Sequence, residues 1–278
     1  MAEIKLFVSC HQPVSVPSHP LLVPVQVGAA LTEERFPGFL PDDTGENISA
    51  KNRSYCELTA QYWAWKNLEA DHYGFFHYRR YLYPDANARL PYRVEREAEL
   101  PLLEKLGYGT FGELIGRYDL ILPKAEQMYV PVREHYAHAP HHRAKDLALA
   151  EQLVREKHPQ MQPALEKYMA GTAHYFGNIH IMKRDVFRDY CAWLFPLLEE
   201  FDRLADVSGY TTQEQRVDGY LAERLLGVYA THRRGEMKVL ELPRVHFYPA
   251  GEYAKRRLLN ALLPPGSKRR SIVKAAGR

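Results

Sequence analysis

The sequence predicts an α/β protein with a mostly parallel central sheet and helices on both faces. Three observations carry that prediction. Short apolar runs bounded by Gly, Pro, Asp or Asn alternate with stretches of helical periodicity. Residues 55–83, YCELTAQYWAWKNLEADHYGFFHYRRYLY, read as a helix, a tight turn and a short aromatic strand, and the strand is uncharged as a buried one should be. The length of 278 residues suits one large domain, or one domain with an appendage.

The elements follow in order. Residues 4–10 alternate and form a first strand that ends at His11-Gln12-Pro13, and residues 21–27 form a second that ends at Gly28. Residues 32–53 are a long loop rich in Gly, Pro, Asp and Asn. A loop of this length with apolar anchors at Phe36, Phe39, Leu40 and Ile48 is read as functional. Ser54 and Glu57 stand in the S-x-x-E spacing of a capping box, which predicts a helix starting at Tyr55. Tyr55, Leu58, Tyr62, Trp65 and Leu68 make its apolar stripe, and Trp63 and Trp65 are assigned to the core rather than to a sugar platform. Asp71-His72 turns the chain into the strand 73–76. That strand delivers His77-Tyr78-Arg79-Arg80-Tyr81 to the sheet edge where α/β proteins hold ligands.

Residues 85–99 read as an irregular surface excursion, 110–116 as a short helix and 118–122 as a strand. His135, His138, His141 and His142 have no acid interleaved, so structural or solvated histidines are favoured over metal ligands. Residues 143–158 and 159–169 form a helical pair, 177–184 a strand and 185–203 an amphipathic helix. Thr211 and Glu214 make a second capping box, opening a helix to about residue 232. Its core face is Val217, Leu221, Leu225 and Val228. Arg216, Tyr220 and Glu223 share another face, with Gly219 giving close access. Residues 239–242 and 245–248 are the last strands.

Composition bounds the rest. Hydrophobic residues at 46% and charged ones at 26% fit a soluble globular protein. The absence of an 18-residue apolar stretch, and a start, MAEIKLFVSC, without a signal-peptide core, point to a cytoplasmic protein. Cys10, Cys56 and Cys191 are widely spaced and imply neither a disulfide framework nor a zinc knuckle. Residues 253–278 carry eight Lys or Arg and no Asp or Glu, leaving 29 basic against 34 acidic residues elsewhere, a net of −5. The division is therefore a body, 1–252, and a basic tail, 253–278. Leucine pairs between basic triplets suit the tail to an anionic membrane surface, which predicts peripheral attachment to the inner membrane. No nucleic-acid partner is expected, because the body has neither a recognition motif nor a basic face. The signatures G-x-G-x-x-G, G-x-x-x-x-G-K-[ST], G-x-S-x-G and H-E-x-x-H are missing, which weighs against dinucleotide, P-loop, serine-hydrolase and zincin chemistry.

Seven segments in order, VPVQVGAAL, DDTGENIS-K-N, YCELTAQYWAWKN, GFFHYRRY, DLILP, FGNIHIMKRDVFRDYCAWLF and QRVDGYLAERLL, together resemble the DUF4422 family over about residues 4–248. The resemblance implies a GT-A-like, Rossmann-like fold and a glycosyltransferase of bacterial capsule, exopolysaccharide or O-antigen assembly, with one branch transferring galactofuranose. The implied donor is a UDP-sugar carrying galactose or galactofuranose, and the implied acceptor a lipid-linked glycan. A catalytically inactive carbohydrate-binding or scaffolding subunit is the alternative. GT-A enzymes commonly hold a divalent metal with D-x-D, but here that position resembles the cationic His77, Arg79 and Arg80. Guanidinium forks neutralise diphosphate directly, so no cofactor or metal is expected to be required. Two adjacent arginines on a strand would point to opposite sides, so one of the two is expected to reach the ligand. By the same resemblance His11 and Gln26 would hold the nucleoside, and Lys51, Asn52 and Tyr55 the anion at the start of the central helix. Asp42, Asn47, Asn178 and Arg216 would contact the donor sugar. Glu223 is the expected base, with Asp43 next, while Glu57 is left to the capping box.

Overall fold

The computed structural model describes residues 2–270. Strands β1 (Ile4–Cys10), β2 (Leu22–Gln26) and β3 (Leu40–Pro41) precede helices α1 (Asn52–Tyr55) and α2 (Leu58–Asn67). Next come β4 (His72–His77), β5 (Arg80–Leu82), β6 (Tyr92–Glu95), α3 (Leu100–Lys105), α4 (Phe111–Ile115), β7 (Leu120–Pro123) and β8 (Glu126–Gln127). Helices α5 (Val132–His138), α6 (Ala144–Lys157) and α7 (Gln162–Ala170) lead to β9 (Ala173–His174), β10 (His180–Lys183) and the long α8 (Arg184–Leu204). The chain continues through α9 (Val217–Arg233), β11 (Val239–Leu242), β12 (Arg244–Phe247) and α10 (Ala250–Leu262).

The central sheet runs β11-β7-β10-β4-β1-β2-β3. Along that path β10 is antiparallel to both neighbours and the remaining pairs are parallel. The architecture is the mostly parallel, helix-flanked, GT-A-like α/β fold that the sequence predicts. Burial explains it: Leu6, Phe7 and Val8 of β1 and Phe75 and Phe76 of β4 are all at most 2% exposed, as strands covered on both faces must be. Side chains alternate between two cores. Phe7, Tyr73 and Phe75 face α2 and α6 to α9, whereas Leu6, Val8 and Phe76 face β5, α3 and α4. A second layer of pairing, β5 with β12 and β12 with β6, forms a ribbon that leaves the sheet at the His77–Arg80 pair.

Several local expectations change. The first capping box does not form. Ser54 Oγ donates instead to buried Asp218 of α9, and the helix breaks at Cys56, whose φ of 53° lies in the left-handed region. Asn52 Nδ2 holds the break by donating to the Cys56 carbonyl (2.7 Å). The second box forms as expected: Thr211 N–H donates to Glu214 Oε2 (2.9 Å) and Glu214 N–H to Thr211 Oγ1 (3.4 Å). Residues 85–99 are not wholly irregular. They contain β6, parallel to β12, with Tyr92 stacked on His246 (4.3 Å between ring centroids). Four residues are too few to show a period in sequence.

Gly74 fixes how β4 sits between its neighbours. A Cβ there would lie 2.4 Å from Leu6 Cδ2 and 3.1 Å from Ile181 Cγ1, side chains of the two flanking strands folded over the glycine. Gly74→Ala is therefore expected to lower unfolding stability by about 1–3 kcal/mol, the usual range for overpacking. Urea titration of the variant checks this, and an unchanged midpoint would contradict the packing described.

Candidate active site

β1 pairs with β2 on one side and with β4 on the other, so the crevice beyond the carboxyl ends of β1 and β4 is a topological switch point, where open α/β sheets bind ligands. The register sets Ser9 opposite His77, and Tyr78 N–H donates to the Ser9 carbonyl (3.1 Å). His11 leaves β1 and His77 leaves β4 with ring centroids 6.3 Å apart. Around them opens a cleft of about 630 Å³. Asn52, Arg53, Cys56 and Glu57 enter it from the α1–α2 break, and Arg216, Tyr220, Glu223 and Arg224 from the start of α9. His135, His142 and Phe176 close the far side. The break comes this near α9 because Gly219 lacks a side chain: a Cβ would lie 3.1 Å from Cys56 Sγ.

One wall is cationic. Arg79 sits in the turn between β4 and β5, its guanidinium 5.0 Å from the Tyr78 ring centroid, and Arg80 opens β5. Both line the cleft, against the expectation that only one would reach it, because a turn removes the strict alternation of a strand. Among the described residues none of Arg53, Arg79, Arg80 and Arg216 has a salt bridge to a carboxylate. Arg79 N–H donates to His77 Nδ1 (3.3 Å), which assigns the neutral tautomer with its proton on Nε2. Burial, followed by the charges of Arg80 and Arg79, pushes the His77 imidazole well below its ordinary range. Burial and the same arginine side of the cleft push His11 down as well.

The other wall is acidic. Glu223 Oε1 accepts from Gly177 N–H (3.0 Å) and Oε2 pairs with Arg224 Nη1 (2.9 Å). Arg224 is buried, with its guanidinium 5.6 Å from the Tyr136 ring and 5.4 Å from the Phe176 ring, so it is a fixed prop. Glu57 also faces the cleft. Burial raises its carboxyl, with Glu223 adding to the rise and Arg216 and Arg80 opposing it.

The sequence-predicted residues divide. His11, Asn52, His77, Arg79, Arg80, Arg216 and Glu223 come together at the cleft. The others are not among its lining residues. Gln26 is buried, donating to the Glu34 carbonyl (2.8 Å) and accepting from Phe36 N–H (3.0 Å). Asp42 is fully buried and accepts from the Gly28 and Ala29 N–H groups, both at 3.0 Å. Asp43 pairs with Arg35 (2.7 Å), and Asn47 Nδ2 donates to the carbonyls of Asp43 and Gly45. These groups hold the long loop in shape. Lys51 and Tyr55 both engage Asp202 (2.9 and 3.0 Å), and Asn178 Nδ2 donates to the Gly219 carbonyl (3.0 Å), behind the cleft.

Glu57, Arg53, Cys56 and Arg224 also line the cleft without having been sequence candidates, as do His135 and His142, which the sequence assigns to structural or solvated histidines. The S-x-x-E spacing concealed Glu57. Arg216, Tyr220 and Glu223, which share a helical face in the sequence, all line the cleft. Among the described residues no three His, Cys, Asp or Glu side chains are grouped as a ready-made metal site, and Arg79 and Arg80 stand at the end of β4.

The sequence profile described as a domain of unknown function, DUF4422, matches residues 5–234. The chain belongs to that family. Among solved structures, the apo form of WbbM, a bifunctional glycosyltransferase, superimposes with a TM-score of 0.83 at 31% sequence identity, over 88% of this chain and 45% of that one. The DUF4422 chain thus spans under half the length of WbbM. No curated protein matches it significantly.

The depressed His77 gives a pH signature. The unfolded chain takes up a proton on this residue at about pH 6.5 while the folded chain resists it, so its stabilising contribution is complete above that pH and lost as pH falls below it. Removing the imidazole should therefore weaken the acid sensitivity. In urea titrations at pH 7 and pH 5, His77→Gln is expected to lose less stability on acidification than the parent; an equal loss would show that His77 does not carry the effect.

Proposed function

We propose that this DUF4422 protein is a glycosyltransferase that draws on a nucleotide-diphosphate sugar, with a UDP-sugar, galactose or galactofuranose in particular, as the favoured donor and a lipid-linked bacterial surface glycan as acceptor. One observation carries the reading: Arg79, Arg80 and Arg216 converge on the switch-point crevice with no carboxylate salt bridge among the described residues. Guanidiniums gathered in a partly water-excluded cleft are matched by an anion of high charge density, and a diphosphate offers bidentate partners to more than one of them. The neutral His77 adds an Nε2–H donor that accepts no charge of its own. The similarity to WbbM supplies the reaction class.

Glycosyl transfer needs the leaving diphosphate stabilised and the acceptor hydroxyl deprotonated. In this reading the arginines perform the first task without a metal, because charge that develops on the β-phosphate meets donors already in place. Glu223 performs the second. Its carboxylate is oriented by Gly177 N–H and by Arg224, so it keeps a fixed position facing the cleft. His11 and Asn52 border the nucleotide side. A purely scaffolding subunit would have no chemical reason to hold these guanidiniums together.

The test is a UDP-release assay with UDP-galactose beside a UDP binding measurement. Arg79→Ala and Arg80→Ala are each expected to weaken UDP binding by about 1.5–3 kcal/mol, the loss of one charged hydrogen-bonding partner, with the fold unchanged by circular dichroism. Glu223→Gln should reduce turnover by about 10²–10⁴ and leave UDP affinity near the parent's. Parent-like UDP binding by both arginine variants would overturn the diphosphate assignment, and parent-like turnover by Glu223→Gln would overturn the base.

A further inference from the structure

We propose that α10 docks, lying in the plane, on an anionic lipid bilayer. Ala254, Leu258, Ala261 and Leu262 stand at i, i+4, i+7 and i+8, one stripe of the helix. That stripe points away from the body: Leu258 is 62% and Leu262 68% exposed, and Leu259 beside them is also exposed. Leucines are normally drawn into a core, so a helix that holds three of them outward is suited to a second apolar phase. The opposite side of the helix is anchored. The Arg96 guanidinium lies 5.7 Å from the Tyr253 ring centroid, and Asn260 Oδ1 accepts from Arg270 (2.6 Å). Arg270 also donates to the Leu263 carbonyl (2.9 Å) and covers the Tyr92 ring of β6, folding the segment after Pro264-Pro265 back onto the ribbon. This fixes which face of α10 looks outward.

The charge around the stripe selects the surface. Lys255, Arg256 and Arg257 on the helix and Lys268 and Arg269 beyond it are exposed, and Glu252 in the first turn is the one acid on α10. Leucines flanked by basic heads meet both requirements of an anionic bilayer, apolar depth and negative headgroups. A nucleic acid would use the charges and leave the leucines without a role. No helix among the described residues is long and apolar enough to cross a membrane, so the contact is peripheral.

The placement of α10 ties it to the cleft. It follows β12 after two residues, and in β12 His246 pairs with Arg80 while Phe247 N–H donates to the Arg79 carbonyl (2.9 Å). The docking helix and the arginine turn therefore share one ribbon. This inference goes beyond the catalytic reading and stands without it. If the acceptor is lipid-linked, docking also raises its effective concentration at the cleft.

Co-sedimentation of the full chain with phosphatidylcholine vesicles, with and without phosphatidylglycerol, tests it. Binding is expected only to the anionic vesicles, and it should fall as salt is raised. Leu258→Ser/Leu262→Ser is expected to weaken the vesicle affinity about tenfold or more, and Lys255→Glu/Arg257→Glu by about fivefold or more per charge. These side chains are exposed, so thermal unfolding by circular dichroism should match the parent. Three outcomes overturn the proposal: no binding by the parent, equal binding to neutral vesicles, or a leucine variant that binds like the parent while the charge variant does not, which would mark a general polyanion surface.

Discussion

The pairing of β1 with β4 is the constraint on which the rest depends. It places Ser9 opposite His77, and the Tyr78 N–H to Ser9 carbonyl bond then turns the chain so that Arg79 and Arg80 face the same crevice as His11. Concentrating guanidiniums there is unfavourable for the folded chain alone, since like charges repel and a partly buried cleft screens them poorly. Burial first, and the arginine charges after it, hold the His77 and His11 imidazoles below their ordinary range. A site that carries such strain is held by well-packed surroundings, here the two apolar cores on either face of the sheet.

The opposing wall is held by a polar seam between α1 and α9. Lys51 and Tyr55 reach Asp202, and Ser54 reaches Asp218, so residues that flank the long loop tie the helix break to the end of α8 and the start of α9. Burial and then the neighbouring Asp202 push the Asp218 carboxyl upward. Gly219 sits one residue further on, where the backbone of α9 meets Cys56. The left-handed φ of Cys56 breaks the helix just before Glu57, which lines the cleft, where the sequence suggests an uninterrupted helix from Tyr55.

Much of this was legible in sequence because burial leaves a period. β1 is bounded as its alternation implies, and the strand 73–76, the helical pair 143–169 and the face shared by Arg216, Tyr220 and Glu223 all correspond to real elements. The arginines were legible as a cluster, though not their convergence, because a turn and a strand look alike over two residues. Glu57 was illegible for a physical reason: its S-x-x-E partner Ser54 was claimed by Asp218, 164 residues away. Asp42 and Gln26 read as ligand contacts because buried polar side chains that shape a loop are the same residue types that bind sugars. Only the fold reveals that their oxygens already have backbone partners.

The central claim is that a cationic crevice takes the diphosphate in place of a metal. Calorimetric titration of the full chain with UDP in the presence of EDTA, repeated with Mn²⁺ in place of the chelator, tests it most directly. The account predicts saturable binding in EDTA, with an affinity that Mn²⁺ changes by less than about tenfold, or 1.4 kcal/mol. Binding that is absent in EDTA and restored by Mn²⁺ would contradict it.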